Sequence, residues 1–364
     1  MRSTESWSDL DSVLAKARNR GHLSREDILF LLNRSEGDQT EAVFQAAREL
    51  RTSNFGSKVF LYGFLYLSTY CRNDCSFCLY RKSNGTCPRY RKAEPEIVEA
   101  ACELAASEVH LIDLTMGEDP AYFSDGASGF DKLVGLVDSI KGVTGLPIMV
   151  SAGVLPDAVL GELKTVGATW YACYQETHNR DLFDQLRTGQ SYDLRLGIKT
   201  LAHSFGLLIE EGLLSGVGES VEDIADSLSV MRELDADQVR VMSFIPQSGT
   251  PMESWPCADR RRELLSIAVM RLVFPDRLIP ASLDVDGLAG LKSRLEVGAN
   301  VVTSVVPPDF GLAGVARSSL DIDNSNRSAA SVAAVLRGCG LEKGSPAEYR
   351  LWIEDRRKAI DWKT

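Results

Sequence analysis

Long apolar runs, histidines and positive charge are all scarce in this sequence. Its apolar stretches fall well short of the roughly 18–20 residues that cross a bilayer. The opening segment, MRSTESWSDLDS, lacks the apolar core of a signal peptide. The formal net charge is −11, whereas nucleic acids and anionic membranes attract basic surfaces. We therefore expect a cytoplasmic protein that has neither a membrane nor a nucleic acid as its partner.

Several common catalytic patterns are also missing. The four histidines, at positions 22, 110, 178 and 203, have no spacing typical of metal ligands. The sequence contains no phosphate-binding loop, dinucleotide fingerprint or Ser–His–Asp constellation. Eight cysteines in a chain without a secretory signal indicate metal binding plus buried thiols rather than a disulfide framework.

One dense basic stretch stands out against the acidic background. It consists of Arg81, Lys82, Arg89, Arg91 and Lys92. Such a stretch is typical either of a solvated loop or of an anion contact near a site, and the sequence leaves both interpretations open.

From about residue 57 onward, short apolar strands alternate with amphipathic helices. The predicted strands are 59–67, 109–115, 147–151, 169–174, 207–213, 238–244, 278–282 and 301–304. The predicted helices between them are 94–107, 130–141, 156–166, 192–205, 221–234, 259–274 and 287–296. A doubly wound sheet has the same alternation, but there the polar signals concentrate at one switch point. Here they follow strands across the whole series, which favours an α/β fold of the (β/α)8 TIM-barrel type.

The two ends of the chain read as helical additions to this barrel. Helical spacing of apolar residues in the first 50 residues predicts an N-terminal helical cap over 1–54, closing one barrel end. The barrel itself is predicted over 55–310. A C-terminal segment, 311–364, is predicted to end in helices around 332–336 and 346–360 and to pack on the barrel.

The strongest chemical signal is a cysteine triad directly after the first predicted strand. Cys71, Cys75 and Cys78 form the pattern CxxxCxxC. Three thiolates can hold three irons of a [4Fe–4S] cluster and leave the fourth open to a ligand, and Phe77 would shield the cluster from solvent. A zinc site that recruits Cys87, or an electron-transfer cluster with a fourth cysteine, remains an alternative, although the spacing fits neither well.

CxxxCxxC with an aromatic residue before the last cysteine resembles the signature of the radical S-adenosylmethionine superfamily. The resemblance implies that the open iron binds the amine and carboxylate of S-adenosylmethionine. One electron then cleaves the sulfonium to give a 5′-deoxyadenosyl radical, which abstracts hydrogen from the substrate.

Polar groups after later strands suit such a cofactor. Gly117 and Glu118 follow the second strand, where the resemblance places the contact to the methionyl amine, although a plain Gly-Pro turn explains them too. Glu176 and Arg195 are the pair of charges that a zwitterionic amino-acid head requires. A second pair, Gly216 and Gly218, coincides with the adenine-side loop of the superfamily.

Five longer stretches narrow the resemblance: residues 62–84, 112–120, 240–251, 280–287 and 298–302. They resemble the branch of biotin synthase, the [FeFe]-hydrogenase maturase and the methylornithine synthases of pyrrolysine biosynthesis, with the last family similar over about 55–345. Biotin synthase needs a second cluster held by cysteines at the ends of interior strands. In those regions the second, third and fifth predicted strands carry Asp113, Ser151 and Glu211 and no cysteine, and Cys173 on the fourth strand stands alone.

The methylornithine synthase family isomerises L-lysine to (3R)-3-methyl-D-ornithine by fragmentation and recombination of the carbon skeleton. The resemblance therefore implies lysine as substrate, a separate one-electron donor, anaerobic conditions and no catalytic side chain beyond the cofactor. We also expect a monomer. A maturase-like lyase acting on another amino acid is the alternative.

Four charged or polar residues at strand ends suit a diamino acid. By its charge, Arg240 would take the substrate carboxylate, Ser282 and Asp284 the polar α-head, and Asp113 the distal amine. Family members use residues at these positions in this way. The alternative is a set of internal salt bridges.

Overall fold

The computed structural model describes residues 2–34, 37–315 and 327–361. Within these ranges no helix is long and apolar enough to cross a membrane. Nine strands are found there: β1 Lys58–Ser68, β2 Leu111–Met116, β3 Ile148–Ser151, β4 Trp170–Ala172, β5 Leu208–Ser215, β6 Gln238–Ser243, β7 Pro280–Ser282, β8 Val301–Val305 and β9 Glu342–Lys343.

The helices described in the same ranges are α1 Arg2–Arg18, α2 Arg25–Leu32, α3 Asp38–Phe55, α4 Glu94–Ala106, α5 Pro120–Phe123, α6 Asp131–Thr144, α7 Asp157–Thr165, α8 Arg180–Leu186, α9 Tyr192–Ser204, α10 Val221–Glu233, α11 Arg260–Val273, α12 Leu291–Glu296, α13 Ala329–Gly338 and α14 Pro346–Asp361. Many begin at a side chain that accepts hydrogen bonds from the first turn, such as Asn179 before α8 and Ser220 before α10. The sequence analysis missed the short helices α5 and α8.

β1 to β8 form a closed barrel of parallel strands, as the alternating pattern predicted. The strand order is β6-β5-β4-β3-β2-β1-β8-β7. A bridge between Gln238 and Leu278 closes the ring between β6 and β7. Two backbone bonds support it, from Val239 N to Leu278 O (3.1 Å) and from Leu278 N to Asp237 O (3.2 Å).

Alternate residues of β1 show how the barrel interior is divided. Phe60 and Tyr62 lie in an apolar cluster at the N-terminal end of the strands, whereas Phe64 and Tyr66 line a cavity at the other end. Tyr349 and Ile353 of α14 belong to the apolar cluster, and the hydroxyls of Tyr62 and Tyr349 lie 2.7 Å apart. Helix α14 therefore fills one end of the barrel and leaves the other end for a ligand.

This arrangement corrects the expectation that the N-terminal helices close a barrel end. Helix α3 packs along α11, α2 packs against α10 and α11, and α1 packs against α3, all on the outside of the barrel. Arg48 and Arg51 of α3 donate to the carbonyls of Glu296 and Leu295 at the end of α12. The apolar faces of these helices are buried by other helices. The N-terminal ends of the barrel strands are covered by α14 instead. The boundaries at 54 and 310 stay predictions.

Candidate active site

The cavity at the C-terminal end of the strands gathers most of the predicted site residues. Those in its wall are Cys71, Cys75, Phe77, Cys78, Asp113, Gly117, Glu118, Glu176, Arg195, Arg240 and Asp284. Gly216, Gly218 and Ser282 are not part of the described wall. Residues up to 213 positions apart in sequence thus meet at one face, because the carboxyl ends of parallel strands converge there.

The three thiols lie together at the mouth of the barrel. Burial, with Cys75 and Cys71 nearby, raises the pKa of the Cys78 thiol. Cys75 Sγ accepts a hydrogen bond from Gln190 Nε2 (3.0 Å), and Arg187 Nη1 lies 3.7 Å from the same sulfur. N–H donors to cysteine sulfur are a normal part of iron–sulfur sites, where they tune the cluster.

The basic stretch before α4 holds the cysteine loop in shape. One guanidinium, that of Arg89, donates to four carbonyl oxygens on both sides of the triad: those of Thr69, Tyr80, Arg81 and Asn84. Arg91 pairs with the buried Asp119 (2.7 Å), and Arg81 pairs with Asp74 (2.8 Å). Lys92 Nζ also donates to Phe310 O (2.6 Å), so four of the five cations bind groups of this chain. These contacts favour neither of the two interpretations that the sequence left open.

Gly117 is needed because β2 ends against the cysteine loop. A Cβ atom at this position would lie 2.5 Å from Tyr70 O and 2.9 Å from Cys71 Cβ. No real Cβ approaches that closely, so a side chain here would push the first cysteine out of place.

Glu176 and Arg187 form a buried ion pair beside the thiols. Arg187 Nη2 donates to Glu176 Oε1 (2.6 Å), and its guanidinium lies 5.5 Å from the centre of the Phe77 ring. Burial raises the pKa of Glu176, and Arg187 and Arg195 oppose that rise. Glu176 also has a φ of 69°, because its backbone leaves β4 and bridges to Leu213 on β5.

Glu118 and Arg195 stand on the other side of the same space. Arg195 Nη1 lies 3.8 Å from Glu118 Oε1, and its Nε donates to Tyr174 O (2.7 Å). Glu118 Oε2 accepts from Arg72 (2.9 Å). Glu118 and Arg195 therefore face one cavity, each oriented by contacts within the protein. The predicted partner of Arg195, Glu176, lines the same cavity but pairs with Arg187.

The two predicted glycines after β5 shape a turn. Gly216 and Gly218 have φ values of 90° and 104°, which L side chains rarely adopt. The carboxylate of Glu219 accepts from Gly216 N and Val217 N (both 2.9 Å) and so closes the turn.

The deepest part of the cavity contains buried charges from facing strands. Burial, with Glu210 adding to it and Arg240 opposing it, raises the pKa of Asp113 to about 7. Arg240 Nε lies 2.7 Å from Glu210 Oε1, and Tyr174 donates to the other oxygen of Glu210 (2.8 Å). Glu210 thus orients Arg240 through an internal salt bridge, which is what the alternative interpretation of the sequence predicted. Arg240 is nevertheless part of the cavity wall.

Asp284 receives contacts from three directions. Arg327 Nη1 donates to Oδ1 (2.7 Å), and Ser304 Oγ donates to Oδ2 (3.0 Å). Ser282 accepts from the backbone N–H of Asp284 (3.2 Å), so it supports Asp284 rather than lining the cavity itself.

Sequence reasoning missed three residues of this site: Arg187, Glu210 and Arg327. Arg187 and Arg327 lie in helical or irregular segments far from any motif. Glu210 had a usable signal, because strand alternation places it on the same face as Leu208 and Gly212. Its neighbour Glu211 instead points to α9, where it pairs with the fully buried Lys199.

The donor set fits an iron–sulfur cluster better than a single zinc ion. In the described ranges no three His, Cys, Asp or Glu side chains converge closely enough to hold one metal ion. The thiols nevertheless share one cavity wall, with an N–H donor on Cys75 and a close approach at Gly117. Burial raises the pKa of the Cys71 and Cys78 thiols, so the binding of any metal centre here must displace their protons.

These features define the class of radical S-adenosylmethionine enzymes. They are a closed (β/α)8 barrel, a three-cysteine loop after its first strand, and a ligand-sized cavity onto which that loop opens. No family model matches the chain. The chain is 42% identical over 341 residues to the 3-methylornithine synthase of Methanosarcina acetivorans. These residues cover 94% of this chain and 96% of the relative. The chain belongs to the 3-methylornithine synthase family.

Two further comparisons agree with this placement. The crystal structure of the methylornithine synthase PylB superimposes with a TM-score of 0.88 at 41% identity, over 93% of this chain and 99% of that one. The [FeFe] hydrogenase maturase subunit HydE of Thermotoga maritima is 30% identical over 293 residues, covering 80% of this chain and 82% of the relative. The family resemblance and the barrel expected from the sequence are confirmed.

Proposed function

We propose that this protein isomerises L-lysine to (3R)-3-methyl-D-ornithine, the first step of pyrrolysine biosynthesis. The name of its relatives, 3-methylornithine synthase, supports the product. The observation that carries the proposal for this chain is the set of buried charges in the cavity, Asp113, Arg240 and Asp284. Buried charges are costly unless paired. Arg240 and Asp284 have partners within the protein in Glu210 and Arg327, and the three charged groups of lysine would add a partner from the cavity to each of the three residues.

The balance of charge supports a substrate with one excess positive charge. Three buried carboxylates meet in this region: Asp113, Glu210 and Asp284. Two buried guanidiniums offset them, Arg240 and Arg327. Lysine at neutral pH has two ammonium groups and one carboxylate, so it would neutralise the remaining negative charge.

Each substrate group has a proposed partner. Arg240 takes the carboxylate through its terminal Nη atoms, since Glu210 occupies its Nε edge. Asp284, supported by Ser282, takes the α-ammonium, and Asp113 takes the distal one. These contacts hold the carbon chain in one orientation, which matters because the fragments of the broken skeleton must recombine at a different carbon.

The cofactors occupy the outer part of the cavity in this proposal. Cys71, Cys75 and Cys78 hold a [4Fe–4S] cluster that keeps one iron free of cysteine. Glu118, Glu176 and Arg195 offer charges for the methionyl ammonium and carboxylate of S-adenosylmethionine, and the turn at 216–218 lies on the adenine side. When bound, the cluster and S-adenosylmethionine supply the one-electron chemistry that removes a hydrogen atom from the substrate.

The protein's further task is to exclude water and oxygen from this space. Helix α14 closes the far end of the barrel with Tyr349 and Ile353. The proposal also includes a monomeric enzyme that is supplied by a separate one-electron donor under anaerobic conditions.

Anaerobic reconstitution with labelled lysine tests the proposal. We expect a brown protein that cleaves S-adenosylmethionine under reductant and forms a branched isomer of unchanged mass. Cys71→Ala should lose both activities, whereas Cys102→Ala, which changes an exposed thiol on α4, should keep them. Asp113→Ala should lose isomer formation while keeping the cluster absorbance. Zinc in the purified protein, or a cluster whose every iron is bound by cysteine, contradicts the proposal.

The second candidate is a lyase of the hydrogenase-maturase type acting on another amino acid. The 30% identity to HydE favours it. Lysine that stays unaltered while S-adenosylmethionine is cleaved would favour this candidate over the isomerase.

A further inference from the structure

Arg327 brings a buried guanidinium from beyond β8 to the deep end of the cavity. Its backbone carbonyl accepts from Val306 N (3.1 Å), which ties the residue to the end of the barrel. Its side chain is inaccessible to solvent, and Nη1 donates to Asp284 Oδ1 (2.7 Å). Because Ser304 donates to Oδ2, both oxygens of Asp284 are fixed by groups of the protein.

Asp284 lies near other ionisable groups of the cavity, so its pairing with the cation Arg327 affects the charge of the whole site. Asp284 raises the pKa of the buried Asp113 across the cavity, so the two carboxylates repel each other. It also acts on Tyr80 from the cysteine loop and on Arg240 from β6. Of the charged groups that face Asp284 in the described structure, Arg327 is the cation in direct hydrogen-bond contact with it.

Arg327 has no comparable second task in the part of the chain that the structure describes. Its Nε and Nη2 atoms are buried and have no hydrogen-bond partner there. Burying a guanidinium is costly, and the contact that compensates for it here is the one to Asp284. A residue kept only for packing would need no charge.

We propose that Arg327 is a positioning residue of the substrate site, which holds the Asp284 carboxylate in the cavity wall to receive the α-ammonium of an amino-acid substrate. This deepens the proposed function and rests on it. Without Arg327, Oδ1 of Asp284 loses its charged donor, and the carboxylate is no longer held by a cation in the orientation that the ammonium group needs.

The test uses the reconstituted, unreduced holoenzyme with S-adenosylmethionine bound, titrated with lysine. Arg327→Gln should weaken lysine binding by about tenfold or more, while the affinity for S-adenosylmethionine stays unchanged. Arg327→Lys, which keeps the charge, should restore part of the affinity.

Arg356→Gln is the matched control. Arg356 is also a buried arginine paired with an aspartate, Asp237, but at the opposite end of the barrel (2.7 Å). It should lower thermal stability and leave lysine affinity unchanged. If Arg327→Gln does not fold, Arg327→Lys decides, since a shorter cation must still weaken lysine binding measurably.

Lysine affinity in folded Arg327 variants equal to that of the parent overturns the inference. A parent enzyme that does not convert lysine refutes the proposed function instead, so the two failures are distinguishable.

Discussion

Glu210 Oε1 lies 2.7 Å from Arg240 Nε inside the barrel, and both side chains are buried. The hydroxyl of Tyr174 donates to the second oxygen of Glu210 (2.8 Å), and the ring of Tyr174 lies 5.4 Å from the guanidinium of Arg240. The three residues come from β5, β6 and the end of β4. The arginine proposed to bind the substrate carboxylate is therefore oriented by the protein itself.

Breaking the Glu210–Arg240 pair should destabilise the protein strongly. Removal of one partner of a buried ion pair leaves an uncompensated charge, so Glu210→Gln and Arg240→Met should each cost about 3–5 kcal/mol of unfolding free energy. The double variant should cost much less than the sum of the two losses, because no unpaired charge remains. Anaerobic unfolding of all three variants measures this coupling, and additive losses contradict it.

Lysine binding should release protons through Asp113. Burial raises the pKa of Asp113 to about 7, so part of the population is protonated near neutral pH. An ammonium group favours the carboxylate, so we expect release of about half a proton per lysine bound near neutral pH. Affinity should rise as the pH rises through about 7. Calorimetry in buffers with different ionisation enthalpies measures the release.

The variant Asp113→Asn is the control for that measurement, because it has the same size and cannot titrate. If proton release persists in this variant, another group is its source.

The raised pKa of Asp113 also affects the stability of the unliganded protein. The stability due to Asp113 is fully present below the unfolded-state pKa and is lost as the pH rises through about 7.

Arg187→Gln should make the cluster harder to reduce. The guanidinium of Arg187 lies 3.7 Å from Cys75 Sγ, and a nearby positive charge stabilises the more negative, reduced cluster. We therefore expect a lower reduction potential and slower cleavage of S-adenosylmethionine. An anaerobic redox titration followed by electron paramagnetic resonance measures the potential. Arg180→Gln, an exposed change at the start of α8, removes the pair with Asp193 and should leave the potential unchanged.

Disrupting the packing of α14 in the end of the barrel should reduce stability without changing substrate binding. Tyr349 is buried against Phe60 and Tyr62, so Tyr349→Ala should cost about 3–5 kcal/mol. Lysine affinity should be retained, because the cavity lies at the opposite strand ends. Leu351→Ala in the same helix changes an exposed side chain and should have little effect. Thermal unfolding separates the two variants, and equal losses would contradict the role of α14 as a plug.

The sequence by itself was enough to predict the eight barrel strands, the longer helices between them and the cysteine loop. Cys71, Cys75 and Cys78 fall within eight residues, so their meeting depends only on local geometry. The strands were predictable because each combines an apolar run with turn residues, and their number implied the ring. Once the strands were placed parallel, Asp113 and Arg240 had to approach each other at one barrel end.

Tertiary structure alone decided which charge pairs with which, and which helix closes the barrel. Glu210 and Glu211 are chemically identical neighbours, yet one faces Arg240 inside the barrel and the other faces Lys199 outside it. The contact of Arg187 with Cys75 spans 112 positions, and that of Arg327 with Asp284 spans 43. No local pattern specifies such partners, because an ion pair forms wherever packing brings opposite charges together away from water.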